Sequence, residues 1–122
     1  KERYTLANDS QADIFVSIHH NSNNPFKSGY MVLYAGKHDE NSSSELAASI
    51  DNSFSVITTL KQSSSPSSNT QLAVLNGTTM AAVLVECGYM NWKDTSYLYW
   101  NYESISSAIS QGIMDYFRAK KH

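Results

Sequence analysis

The sequence is poor in cysteine, proline and glycine: one Cys, two Pro and five Gly in 122 residues. A lone Cys87 excludes an intrachain disulfide framework and a cysteine-rich metal site. It leaves the compartment open, because an exported protein needs no disulfide. No apolar run approaches the roughly 20 residues of a membrane span. The formal net charge of -2 gives no electrostatic case for a nucleic-acid partner. The opening Lys1-Glu2-Arg3-Tyr4 leads into a polar stretch and carries no leader pattern. There are no internal repeats and no sign of a second domain. What is there is a chain with 41% hydrophobic residues, enough to bury one core. Tyr, Ser and Asn are plentiful, a compositional hint of a secreted or wall-associated protein.

Two apolar segments dominate. Ile14 to Ile18 is mostly β-branched or aromatic, reads as a buried strand over 13–18, and ends in His19-His20-Asn21-Ser22. Ala82-Val83-Leu84-Val85 reads as a second strand and ends in Glu86-Cys87-Gly88. Open α/β sheets place their sites at the C-terminal ends of such strands. The expectation is that the two strands lie side by side and that His19 and Glu86 face one site.

The remaining elements follow from periodicity and turn chemistry. Residues 2–11 predict a short helix around Leu6 and Ala7, and 29–34 a further strand. Ser42 and Glu45 fit a capping box for a helix whose stripe is Leu46, Ile50, Phe54, Ile57 and Leu60. The Ser-rich stretch 62–70 reads as a solvated loop, and 72–75 as a short strand. Asn76-Gly77 reads as a tight turn at φ > 0, leading as a loop into the Glu86 strand. Residues 95–100 predict one helical turn, and 103–119 a last helix in which Gly112 allows close packing on the sheet.

Each chemistry-bearing residue has a plain alternative. His19 directly after a buried strand is well placed to bind a metal; it also fits a satisfied surface histidine. His20 points to the opposite strand face and reads as structural or rim. Glu86 reads either as a strand-end carboxylate reaching solvent or as a general base whose pKa is raised by partial burial. Cys87 reads as a small buried apolar group. A nucleophilic Cys87, the signature of a cysteine hydrolase, needs a histidine in reach, and none is local. His38 and His122 read as inert. Trp92, Tyr97, Tyr99, Trp100 and Tyr102 fit packing for the last helix, or stacking on sugar rings.

The string Arg3, Ala7-Asn8, Ala12-Asp13-Ile14-Phe15-Val16-Ser17-Ile18-His19-His20-Asn21 resembles a segment of zinc-dependent N-acetylmuramoyl-L-alanine amidases of the amidase type 3 family. Leu72 to Leu75 and Met80 to Tyr89 resemble its second block, an apolar strand ending in the catalytic Glu. The resemblance covers nearly the whole chain. It implies an α/β domain over 1–122, with a mainly parallel central sheet flanked by helices on both faces and truncated at its N-terminus. It implies Zn2+ as cofactor, His19 as a zinc ligand, Glu86 as the catalytic carboxylate and Asn21 as a substrate contact. The reaction implied is hydrolysis of the amide between N-acetylmuramic acid and the L-alanine of the peptidoglycan stem peptide, outside the cell or at its wall. Family members carry two further ligands, a His in a Gly-His-Gly-Gly-like turn and a Glu on the following helix. No counterpart of either exists here, so the chain reads as an amidase domain lacking that strand and helix. Asn76, where many members are basic, and Ala81, where Pro is common, also depart from the pattern. The alternative is a non-catalytic wall-binding or interaction module of the same fold. The missing strand also implies an exposed sheet edge open to self-association.

Overall fold

The computed structural model describes residues 2–22 and 24–121; the expectation for His122 lies outside them. The elements are α1 (Glu2–Asp9), β1 (Ile14–Asn21), β2 (Met31–Ala35), α2 (Glu40–Ile57), β3 (Ser67–Asn69), α3 (Ala73–Asn76), β4 (Ala81–Tyr89) and α4 (Trp92–Lys120). The strands form one sheet in the order β1-β4-β2-β3. β1 runs parallel to β4 and β3 parallel to β2, while β2 and β4 are antiparallel. The fold is α/β, with helices on both faces and a mainly parallel sheet, as expected.

The two faces are unequal. Val83, Val85 and Cys87 of β4 and Val32 of β2 pack against Leu46, Ile50 and Phe54 of α2 and Ile105, Ala108 and Ile109 of α4. Each large side chain buried there contributes about 1.5–3 kcal/mol. The alternate residues Ala82, Leu84 and Ala35 meet Leu75 of the short α3, with Phe15 and Leu33 alongside. Every β4 residue is buried, as befits a strand with a neighbour on each side.

Six expectations change. α2 begins at Glu40 behind Asp39, a left-handed residue making no side-chain cap, so Ser42 and Glu45 form no capping box. The start is anchored by tertiary contact instead: buried Ser43 accepts a hydrogen bond from the Ala82 backbone N–H through its Oγ, at 3.0 Å. Residues 73–76 are helical, not extended. Asn69 Oδ1 accepts from the Gln71 and Leu72 N–H groups, and Asn76 Nδ2 donates to the Asn69 and Leu72 carbonyls, so side chains close the turn. Gly77 is right-handed at φ -89°; what it supplies is room for the Tyr4 ring of α1. Part of the Ser-rich loop pairs with β2 as β3. Finally, Gly112 opens α4 to α2 rather than to the sheet: a Cβ there would lie 2.6 Å from Ile50 Cα. The expected turn and last helix are joined as α4, with non-helical φ/ψ at Asn101.

Candidate functional site

His19 and Glu86 are direct cross-strand partners in the parallel β1–β4 register. Neighbouring strands lie about 4.8 Å apart and partners share a face, so the two side chains rise together on the α3 side of the sheet. Met31 of β2 is the partner of Glu86 from the opposite side. Three strands thus carry His19, Glu86 and Met31 in a row across the sheet.

Beyond His19 the register slips: Asn21 pairs with Tyr89, so β4 carries one residue more than β1. Gly88, at φ +132°, takes up that bulge. The extra residue turns Tyr89 to the face of Glu86. A Cβ on Gly88 would sit 3.1 Å from both His20 Nε2 and Asp94 Cβ. His20 therefore lies on the other face from His19, as strand alternation requires, and the two do not converge. Asn21 ends β1; its carbonyl accepts from the Met90 N–H and its Oδ1 from the Ser22 N–H.

Glu86 is 9% exposed, and its Oε1 has no hydrogen-bond partner among the described residues. Burial pushes its carboxyl above the ordinary range, and the facing His19 offsets part of that. An unpartnered buried carboxylate oxygen costs stability, and such groups concentrate at functional sites. Cys87 is buried on the opposite face. Burial, aided by the charge of Glu86, pushes its thiol up to about 11. A raised thiol is the opposite of what a cysteine nucleophile needs, and Cys87 fits the small buried apolar group expected of it.

Asp94, which the sequence reading passed over, organises the loops around the site. It is 1% exposed and accepts from Ser28 Oγ at 2.6 Å and from the Gly29 and Tyr89 N–H groups at 2.9 Å each. Burial raises its carboxyl, but these three donors and the nearby His20 outweigh it and hold the pKa below its usual value. Asn91 caps α4 by accepting from the Asp94 N–H, and its Nδ2 donates to the Asn24 and Lys27 carbonyls. The Asn91-x-x-Asp94 spacing was the only sequence signal for this knot. His38 is structural: its Nε2 lies 3.2 Å from the Leu75 carbonyl and 3.3 Å from Thr78 Oγ1. Of the five aromatics assigned to packing, only Tyr97 packs against the core; Trp92, Tyr99, Trp100 and Tyr102 are exposed.

A family model described as N-acetylmuramoyl-L-alanine amidase matches residues 1–115. The chain belongs to the N-acetylmuramoyl-L-alanine amidase family. Among solved structures of this family, the amidase AmiC2 of Nostoc punctiforme is 31% identical, with a TM-score of 0.84 over 96% of this chain and 64% of its own. An amidase from Clostridium difficile 630 is 27% identical, with a TM-score of 0.86 over 98% and 65%. The CwlD amidase of Clostridioides difficile, solved in complex with the GerS lipoprotein, is 27% identical, with a TM-score of 0.85 over 96% and 60%. The chain therefore spans less than two thirds of the length of each of these amidases. No curated protein matches the sequence.

The donor set tests the zinc that the family implies. Among the described residues, no group of three or more His, Cys, Asp or Glu side chains is gathered to hold a metal. A hydrolytic zinc site needs three protein ligands and an open position for water. His19 and Glu86 fall short of that.

Proposed function

We propose that this chain is a peptidoglycan-directed module of the amidase fold whose metal site is incomplete as it stands. It engages the muramyl peptide of the wall and does not cleave it alone. The observation carrying this reading is the donor count: one imidazole and one carboxylate side by side, with no third ligand among the described residues. A second reading has its own support in the His19–Glu86 pairing and the orphaned Glu86 Oε1. In it the module is the larger part of a zinc amidase that hydrolyses the bond between N-acetylmuramic acid and L-alanine. His19 is then one zinc ligand, Glu86 the base and Asn21 a substrate contact. The strand and helix missing from the family pattern supply the other ligands. Zinc, when bound, supplies an acidified water. The residues here position one ligand and one base and are assigned no cleavage step of their own. Either reading places the protein at the cell wall. No helix among the described residues is long and apolar enough to cross a membrane.

Three measurements on the 122-residue chain decide between these readings: co-sedimentation with purified peptidoglycan, zinc content by mass spectrometry, and release of stem peptide. The expected result is sedimentation with substoichiometric zinc and no release. Stoichiometric zinc with peptide release, abolished in Glu86→Gln, establishes the amidase reading instead. Failure to sediment removes the wall-binding reading.

A further inference from the structure

Next to the His19–Glu86 pair, on the same face, lies a polar cleft of about 330 Å³ whose lining includes Lys27, Lys61, Ser63, Ser64, Met31 and Tyr89. Met31 is the cross-strand partner of Glu86, so the cleft opens one strand away from that carboxylate. No acidic residue lines it. Of the carboxylates around it, Asp94 accepts from Ser28, Gly29 and Tyr89, Asp51 accepts from Gln62 Nε2 at 2.7 Å, and Glu86 is buried one strand away. Neither Lys27 nor Lys61 has an ion-pair partner among the described residues.

Both lysine-bearing loops are held in place. The Lys27 carbonyl accepts from Asn91 Nδ2 at 2.8 Å. The Lys61 carbonyl accepts from the Tyr30 N–H at 3.0 Å, and the Ser63 N–H returns to the Tyr30 carbonyl at 2.7 Å. The two loops cross at Gly29, φ +108°, where any Cβ would collide with the Lys61 carbonyl. Ser63 Oγ and Tyr89 OH lie 3.3 Å apart on the cleft wall. Two fixed backbones thus place two exposed lysines and several hydroxyl residues on one cleft wall, a site chemistry suited to a carboxylate.

We infer that Lys27 and Lys61 form a subsite for a free carboxylate on the peptide portion of the bound muramyl peptide. This rests on the muramyl-peptide reading above. The charge selects the occupant. The lactyl carboxyl of the muramic acid is consumed in the amide to L-alanine, so free carboxylates lie on the peptide side. An extended peptide spans about 3.3–3.6 Å per residue and neighbouring strands lie about 4.8 Å apart, so a ligand whose first amide lies over Glu86 and which runs toward β2 brings the carboxylate of its second residue within reach of the cleft. Lys27 and Lys61 are specificity-determining residues in this arrangement and touch no reacting atom.

The test is binding to the 122-residue chain, followed by calorimetry and by shifts of its amide resonances. The probes are N-acetylmuramyl-L-alanyl-D-isoglutamate, its isoglutamine amide, and inorganic phosphate. The acid is expected to bind about 5–10-fold more tightly than the amide, as two exposed ion pairs together allow. In the Lys27→Gln/Lys61→Gln double variant the acid falls to the affinity of the amide, and the amide is unaffected. Both lysines are exposed and their structural bonds run through backbone carbonyls, so the variant folds; circular dichroism checks it. Equal binding of acid and amide by the parent chain overturns the subsite, as does a preference retained by the double variant. Phosphate competing as well as the acid overturns it in favour of a generic anion site. Binding of neither muramyl peptide also overturns it. Co-sedimentation with whole peptidoglycan, run in parallel, shows whether wall binding survives when the subsite fails.

Discussion

At the scale of single residues, Glu86 and Asp94 are two buried carboxyls treated in opposite ways. Glu86 has an unpartnered oxygen and a raised pKa; Asp94 has three donors and a lowered one. Glu86→Gln removes the desolvation of the ionised form, although the amide oxygen stays unpartnered. Stability at pH 7 should rise by about 1 kcal/mol, because a neutral amide is cheaper to bury than a carboxylate, measured by urea melts. A loss of stability instead means that the carboxylate has a partner in the native state. Asp94→Asn should cost about 2–3 kcal/mol at pH 7, because it weakens charge-assisted bonds to two buried N–H groups and the part-buried Ser28 hydroxyl. The pKa of Asp94 is depressed below 3.8, so its contribution is present above pH 3.8 and is lost as pH falls through the folded-state value. The stability gap between parent and Asp94→Asn should therefore close on acidification below about pH 3.8, a titration of melts that a purely steric role for Asp94 would leave flat.

Among the elements, the α2–α4 contact depends on Gly112. Alanine is the better helix former by about 0.8–1 kcal/mol. Its Cβ would lie 2.6 Å from Ile50 Cα, backbone that cannot yield without parting the helices. Overpacking of this kind costs about 1–3 kcal/mol, so Gly112→Ala should destabilise the chain by about 1–2 kcal/mol; a stabilised variant in thermal melts rejects the close crossing. β1 poses a different question. It pairs only with β4, its outer edge is free among the described residues, and Ile18 on it is 60% exposed. Edges of this kind pair with other chains unless a charge guards them. Ile18→Lys should lower any concentration-dependent sedimentation of the chain while leaving its melting point within a degree or two, since the position is solvent-facing. The strands and long helices were legible because their period of 2 or 3.6 is written in consecutive residues. The α2 start and α3 were not, because Ser43 answers to Ala82 and Asn76 to Asn69, Leu72 and backbone across the loop.

For the whole molecule, the donor count leads to an expectation about metal. With a single cross-strand pair in place of three ligands, folding should not be linked to zinc. Chelator should leave the melting temperature unchanged, and excess zinc should raise it by no more than a degree or two; a large shift either way reveals ligands beyond the described residues. What the order of residues settled unaided was the pair of apolar strands and the polar residues at their ends, His19 on one and Glu86 on the other. Strand alternation and burial are local rules, and they leave local marks. What only the tertiary structure decided was adjacency. The β1–β4 register sets His19 against Glu86, the bulge at Gly88 swings Tyr89 onto their face, and Asp94 ties the Ser28-Gly29 loop to the end of β4. The crossing at Gly29 brings Lys27 and Lys61 to one cleft. Such contacts join residues tens of positions apart, and no short-range pattern encodes a neighbour that the chain meets only after it has folded.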